Sequence, residues 1–208
     1  MMRSVLKVAA ALCLALAMAG CTRSPQVSFY TLGAPAEAPV SRPAHPAAAS
    51  EGGVSQQSRP LIAVGPVTIP ELVNRPQLVE QSGANQVKIL ESKRWAEPLK
   101  SGIPRYLARE IGRQLDSDRV FSYLEMTGAA APYRVLVDIS RFETVPGDSV
   151  TVEADWTIRH LGKSAKSGHS LVRRKIQGEG YDAVVAAFSA ALSALGGEVA
   201  AGLQTLKP

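Results

Sequence analysis

The two cysteines are the residues of this sequence with the widest choice of chemistry. A thiol can form a disulfide, bind a metal as a thiolate, act as a nucleophile or carry a covalent modification. Cys13 lies within an uncharged apolar run, and Cys21 lies just after its end. Residues 22–208 contain no cysteine, which excludes the first three uses from that part of the chain. Only Cys21 follows the apolar run, so its role depends on the segment that it closes.

The three histidines form no recognisable ligand or catalytic motif. His45 lies in a segment rich in alanine and proline, while His160 and His169 flank a predicted turn. The sequence has no H-x-x-x-H pair, Cys/His cluster, acidic calcium loop, G-x-S-x-G, P-loop or G-x-G-x-x-G motif. We therefore predict surface histidines, no metal or cofactor, and a protein that is not an enzyme. A catalytic triad whose members meet only in the fold is an open alternative.

The first 20 residues predict a cleaved secretory signal. Arg3 and Lys7 give a positive start, and Val8–Ala19 is uncharged. This run is shorter than the roughly 20 apolar residues that a membrane-spanning helix needs. The whole chain carries a formal charge of +5, which includes Arg3 and Lys7. The remaining charge is small and scattered, which argues against a nucleic-acid partner.

The residues that close this segment, Met18–Cys21, resemble the lipobox of bacterial lipoproteins. In that family the cysteine sulfur receives a diacylglycerol, the signal is cut before the cysteine and the new amine is acylated. Met18 replaces the preferred leucine, a mild departure because both side chains are apolar and of similar length. Thr22, where an aspartate would favour retention at the inner membrane, implies the outer membrane by the same resemblance. The alternative is a secreted protein in which Cys21 is coincidental.

The segment after the cysteine allows two interpretations. Gln26–Leu32 is β-prone, whereas Gly33–Pro60 is rich in Ala, Pro, Ser and Gly and predicts a flexible segment. Either all of it is a tether, or Phe29–Leu32 docks as a strand and the rest is a long loop, leaving Thr22–Ser28 as the tether. We favour docking, because a tether does not need an aromatic and β-branched cluster. The predicted organisation is a signal peptide (residues 1–20), a lipidated N-terminal segment (21–60) and a periplasmic domain (61–208).

The last 148 or so residues are enough for one domain that buries about two thirds of its unfolded surface without disulfides or metals. Strand patterns occupy Leu61–Ile69, Gln77–Glu80, Gln86–Glu91, Val120–Glu125, Tyr133–Val145, Val150–Arg159 and Leu171–Gln177, with a hairpin loop at Gly162–Gly168. Helix patterns occupy residues 99–115 and 181–203. Pro104 predicts a kink or a helix start, and Gly196-Gly197 a bend or a close helix contact. These elements predict an α+β fold, a two-layer sandwich in which two main helices cover one face of a single, mostly antiparallel sheet.

Two tryptophans and one basic run have different predicted roles. Trp156 lies in the buried phase of its strand, which predicts a core residue. Trp95 stands just before the first helix, where it either caps the helix against the sheet or contacts a partner. Arg173-Arg174-Lys175 is most simply a solvated edge strand that discourages aggregation, with headgroup or partner binding as the alternative.

Three stretches taken together resemble a known family. They are Cys21 followed by Phe29–Leu32, Ile62–Val67 leading to Pro70 and Asn74–Gln77, and Arg94–Leu99 opening a helix. In order and spacing they are similar to the ABC-type transport auxiliary lipoproteins, the group that includes paraquat-inducible protein C. The resemblance covers about residues 21–205.

The resemblance implies a non-enzymatic lipoprotein on the periplasmic face of the outer membrane. There it would dock the MCE-domain protein of a lipid transport system, whose ABC or integral-membrane subunits are further partners. Among site residues only Cys21 receives a defined role, that of lipid attachment. Arg75, Gln77, Arg94 and Trp95 match motif positions, and they either contact a partner or brace the fold. A lipid-binding shuttle, a structural lipoprotein of another outer-membrane assembly and self-association are open alternatives.

Overall fold

The computed structural model describes residues 26–33, 59–124 and 131–206. The elements in these ranges are β1 (Ser28–Tyr30), β2 (Ile62–Thr68), β3 (Gln77–Gly83), β4 (Gln86–Trp95), α1 (Leu99–Gln114), β5 (Val120–Ser122), β6 (Tyr133–Val145), β7 (Ser149–His160), β8 (Lys163–Lys175) and α2 (Gly180–Thr205). Both helices pack against strands and against each other. The α+β sandwich predicted from the sequence is therefore confirmed.

The described strands form two sheets, where a single sheet was expected. The small sheet has the order β1-β4-β3, and the large sheet has the order β5-β2-β6-β7-β8. The longest ladders, β6–β7 and β7–β8, are antiparallel, whereas β1–β4, β2–β5 and β2–β6 are parallel. The parallel pairs join strands far apart in the chain, because parallel neighbours need a long crossover connection. Hydrophobic periodicity reports which face of a strand is buried but not which strands are neighbours.

The prediction of a loop at Gly162–Gly168 is wrong. Strand β8 already begins at Lys163, and the turn is confined to Leu161 and Gly162, both at positive φ. The small residues belong to the strand because the indole of Trp156 lies over Gly168, where a Cβ atom would clash with the ring. Trp156 is itself in the core, as predicted, and its Nε1 donates to Ser170 Oγ at 3.1 Å.

The structure shows where α1 begins relative to Pro104 and what Gly196 does in α2. Helix α1 begins at Leu99 and continues through the buried Pro104, so Pro104 does not mark its start. A Cβ atom added at Gly196 would lie 3.3 Å from the Cβ of Glu110 on α1. Gly196 therefore marks the close contact between the helices, where a larger side chain would push them apart.

Helix α2 is central to the core of the domain. Its 26 residues include an 18-residue window with a mean hydropathy of 1.6, so by length and composition alone it could cross a membrane. Within the domain, however, 61% of that window is buried. Phe188, Leu192 and Leu195 are 3% exposed or less. The hydropathy of α2 is thus explained by packing against both sheets and α1.

Tyr106 links the two helices through a buried hydrogen bond. Its hydroxyl on α1 donates to the carbonyl oxygen of Ser189 on α2 at 2.8 Å. Burial, and secondly the nearby carboxylate of Glu110, raise the pKa of Tyr106 from 10.0 to about 12. The folded state binds the Tyr106 proton more tightly than the unfolded state does. The stability that this difference contributes is therefore complete below pH 10 and is lost as the pH rises towards 12.

Substituting Tyr106→Phe should therefore change the alkaline stability profile. At pH 7 the variant should lose about 1 kcal/mol, the net contribution of one hydrogen bond. Between pH 10 and pH 12 the wild type should lose about 2 kcal/mol more stability than the variant, at ~1.4 kcal/mol per pKa unit. Urea unfolding at pH 8 and pH 11.5 measures both effects. Parallel declines in the two proteins would show that Tyr106 does not titrate with this shift.

Candidate interaction surface

The described histidines and acidic residues do not form a metal-binding cluster. Residues 26–33, 59–124 and 131–206 contain no group of three or more His, Cys, Asp or Glu that could hold a metal ion. His160 stacks on Tyr133 with ring centroids 4.4 Å apart. The exposed His169 has Nδ1 3.0 Å from Asp155 Oδ1 and Nε2 3.4 Å from Glu153 Oε1. Both histidines lie on the surface, as predicted, and His45 lies outside the described residues.

Strand β1 is held against the domain by contacts on its inner face. Lys93 Nζ donates to Ser28 Oγ at 3.1 Å and lies 5.8 Å from the ring centroid of Tyr181. The Tyr30 and Tyr181 rings meet edge to face at 6.4 Å. The Tyr30 carbonyl accepts the Ala96 N–H at 2.8 Å. A strand is therefore docked at Ser28–Tyr30, as the docked interpretation expects, and residues 34–58 lie outside the described residues.

Tyr181 also ties helix α2 to the small sheet. Its hydroxyl donates to Glu80 Oε2 at 3.1 Å. Burial first, and then the hydrogen bond and charge of Glu80, raise the pKa of Tyr181 above its usual value. The neutral phenol is thus the form that the fold favours at physiological pH.

A row of polar and aromatic side chains crosses the outer face of the small sheet. Phe29 on β1 lies opposite Arg94 on β4, and Arg94 lies opposite Gln77 on β3. Residues directly opposite in a sheet share a face, so these three side chains are neighbours. Phe29 is 65% exposed, an unusual position for a phenylalanine in a strand. We call Phe29, Arg94 and Gln77 the outer-face row.

Glu91 orients the two polar members of this row. Gln77 Nε2 donates to Glu91 Oε2 at 3.1 Å, and Arg94 Nε donates to the Glu91 carbonyl at 3.0 Å. Arg94 and Glu91 also form an ion pair at 3.9 Å. Exposed pairs of this kind contribute at most about 1 kcal/mol, so their main effect here is to fix geometry. The Arg94 guanidinium is left half-exposed beside Phe29.

Arg75 lies beside this row but is only partly accessible. It follows the turn at residues 70–74 and donates its backbone N–H to the Val73 carbonyl at 2.9 Å. Its Nε is buried and makes no hydrogen bond. A buried donor without a partner is uncommon in folded proteins. Among the described residues, therefore, the Nε of Arg75 has no hydrogen-bond acceptor.

Trp95 lies in the core, apart from the other three motif residues. It is the last residue of β4 and is 7% exposed. Its indole meets the rings of Phe142 and Phe188 edge to face, each with centroids 6.3 Å apart. Contact with a partner would require this ring to leave the core, so the geometry favours the bracing role.

The sequence motifs did not indicate that Phe29 is exposed, nor that Glu91 orients the two polar residues of the row. Phe29 is a β-prone aromatic residue, which by itself suggests burial. Its exposure follows from the parallel pairing of β1 with β4, across more than 60 positions of chain. No local signal in the sequence carries that pairing. Cys21 lies outside the described residues, so its lipidation stays a prediction.

Comparison with solved structures places the fold among known ones. The crystal structure of an uncharacterized protein aligns with a TM-score of 0.65 and 18% identity, covering 86% of this chain and 99% of that one. The crystal structure of protein XCC0632 from Xanthomonas campestris, described under the family model DUF330, aligns with a TM-score of 0.55 and 18% identity, covering 67% of this chain and 81% of that one. At such identities the similarity extends to the fold alone. No curated protein sequence matches the chain.

The family model gives a more specific result. The model described as the ABC-type transport auxiliary lipoprotein component matches residues 30–200. The match spans the strands β2 to β8, all of α1 and most of α2. The chain belongs to the ABC-type transport auxiliary lipoprotein component family.

Proposed function

We propose that this protein is a lipid-anchored docking subunit of an ABC/MCE-type lipid transport system. Acyl chains on Cys21 hold it at the periplasmic face of the outer membrane. The outer-face row binds the MCE-domain component of the transporter. In this proposal the protein anchors and positions the transporter, and its partners move the lipid.

The observation that carries this proposal is the family match across residues 30–200, in a domain that offers an interaction surface. The outer-face row has the composition that protein interfaces favour, an aromatic residue beside an arginine. The described residues contain no candidate metal cluster to compete with this interpretation.

Substituting the two polar residues of the outer-face row should reduce the amount of partner that is recovered. The double substitution Gln77→Ala and Arg94→Glu inverts one charge and deletes one amide, and should reduce recovery of an MCE protein about tenfold, the effect of a hot spot worth about 1.4 kcal/mol. Affinity purification from crosslinked membranes, quantified by mass spectrometry, measures this effect. Each substitution should change the free energy of unfolding by no more than about 1 kcal/mol, because both side chains are partly exposed and make only weak surface pairs with Glu91.

A photoreactive residue at Phe29 supplies the complementary test. Because 65% of this side chain is exposed, the substitution leaves the core intact. The matched control is Leu161, which is 73% exposed and lies at the β7–β8 turn. A crosslink to an MCE protein from position 29 but not from position 161 supports the proposed surface. Equal yields at both positions, or no MCE protein at either, would contradict it.

A further inference from the structure

The β3–β4 hairpin projects beyond the rest of the small sheet. All eight residues from Ser82 to Ile89 are exposed. Strand β1 pairs with β4 only at Lys93–Trp95, so the outer part of β4 has β3 as its sole strand neighbour among the described residues. Two apolar side chains on this projection, Val87 and Ile89, are 42% and 37% exposed. We call Ser82–Ile89 the hairpin tip.

The direction of β1 relates the hairpin tip to the N-terminus. Because β1 is parallel to β4 and Ser28 lies opposite Lys93, the chain that precedes Ser28 leaves the sheet on the side of the hairpin tip. Val27, 40% exposed, lines a groove along Lys88–Lys93 together with Tyr181. The chain thus departs towards the same end of the molecule as the apolar tip.

Chain length limits how far the anchor can be from the domain. The six residues from Val27 back to Cys21 span at most roughly 20 Å when fully extended. Along β4, the distance from the level of Lys93 to the level of Gln86 is about 23 Å at 3.3 Å per residue. An anchor at Cys21 therefore cannot hold the domain much farther from a bilayer than the hairpin itself reaches.

The chemistry of the hairpin tip suits the interface of a bilayer. Residues 82–87 carry no charge, and the ammonium of Lys88 is paired with Glu80 at 3.8 Å. Because this end carries little unpaired charge, few charged groups must be desolvated when it enters the headgroup region. The side chains of Val87 and Ile89 gain an apolar environment there. Two apolar side chains cannot hold a protein on a membrane alone, but they add to an anchor that already keeps them there.

We propose that the hairpin tip is a membrane-contact surface, seated among phospholipid headgroups when the protein is anchored. This inference rests on the lipidation of Cys21 in the proposed function. It orients the domain: the hairpin tip lies towards the bilayer, and the outer-face row lies at the base of the hairpin, where a partner can reach it.

The test places an environment-sensitive fluorophore on a single introduced cysteine of the full-length, lipidated protein. Residues 22–208 contain no other cysteine, and an acylated Cys21 does not react with a maleimide. The positions are Ile89→Cys and, independently, Val87→Cys. The control is Leu161→Cys at the β7–β8 turn. Leu161 is hydrogen-bonded to Pro132 just before β6, whereas Gln81 beside the hairpin tip is hydrogen-bonded to Glu143 near the end of β6. Roughly 33 Å of strand therefore separates the two levels at 3.3 Å per residue.

The proteins are reconstituted in phosphatidylethanolamine–phosphatidylglycerol vesicles with and without nitroxide-labelled lipids. Quenching at positions 89 and 87 should be about twofold or more, with little quenching at position 161, because nitroxide lipids quench only nearby fluorophores in the interface. Equal quenching at all three positions, or none at 89 and 87, overturns the membrane contact. A protein crosslink at position 89 in cells, without quenching in vesicles, would assign the hairpin tip to a protein partner instead.

The parent protein, without an introduced cysteine, separates this inference from the proposed function. If the maleimide does not label the parent protein, Cys21 is modified, and the quenching results then test the hairpin tip alone. If it labels, Cys21 carries a free thiol. The anchor of the proposed function then fails, and the membrane contact that rests on it fails too.

Discussion

Cys21→Ser is expected to move the protein from the membrane fraction to the soluble fraction. A serine oxygen cannot replace the sulfur that receives the diacylglycerol, so the acyl chains are lost together. Each buried methylene contributes about 0.8 kcal/mol to membrane binding, and the loss of two or more chains removes the anchor outright. Sedimentation of membranes after a high-salt wash measures the change, because salt screens the ionic contacts that would retain a peripheral protein.

The matched control for this experiment is Cys13→Ser. It makes the same atomic replacement within the predicted signal, and it leaves Cys21 in place. That variant should remain in the membrane pellet. If the Cys21→Ser protein also stayed there after the wash, another element would hold it.

Trp95→Ala is expected to be the most destabilising single substitution among the four motif residues. Truncating a buried tryptophan to alanine costs about 3–5 kcal/mol through lost burial and the cavity left behind. Trp95 also loses its edge-to-face contacts with Phe142 and Phe188, and pairs of this kind are worth about 0.5–1.5 kcal/mol each beyond burial. Since a typical domain is stable by about 5–15 kcal/mol, the variant should unfold at a clearly lower urea concentration.

Two companions make the Trp95 result interpretable. Trp95→Phe keeps an aromatic ring in the site and should recover part of the lost stability. Phe29→Ala changes an exposed ring on the neighbouring strand and should shift stability by only about 0.5 kcal/mol. If Trp95→Ala instead changed stability by less than about 1 kcal/mol while abolishing partner recovery, the bracing role would be wrong. Trp95 would then contact the partner directly.

These variants distinguish motif residues that stabilise the fold from motif residues that lie on the proposed binding surface. Trp95 holds β4 against the phenylalanines of β6 and α2, so its loss should act through the free energy of unfolding. Gln77 and Arg94 hold an arrangement on the outer surface, so their loss should act through binding while the fold stays intact. Arg94 and Trp95, which are neighbours in one sequence motif, are thus expected to give different results in the same pair of measurements.

Local patterns in the sequence were sufficient for much of the fold. The alternation of apolar and polar residues along β7 predicts its buried face, because a strand repeats every two residues. The spacing of apolar residues along α1 and α2 predicts both helices, since their buried stripes recur with the helical period. The lipobox resemblance at Met18–Cys21 is local as well. Processing of such a segment depends on a few contiguous residues.

Other features depended on contacts that no local pattern encodes. The early half of β8 is a strand because Gly168 lies beneath Trp156 and pairs with β7, although its composition favours a loop. The division into two sheets follows from which strands become neighbours. Trp95 becomes a core residue because aromatic rings from β6 and α2 converge on the end of β4.

By itself, then, the sequence determined the elements, the fold class, the family and the predicted site of lipid attachment, since each is written in neighbouring residues or in a regular period. Tertiary structure alone decided the surface. Phe29, Arg94 and Gln77 form a row only because a parallel pair and an antiparallel pair share β4. The physical reason is that hydrophobic periodicity specifies which face of each strand is buried. The neighbours of an exposed side chain depend instead on which strands, distant in the chain, pair with each other.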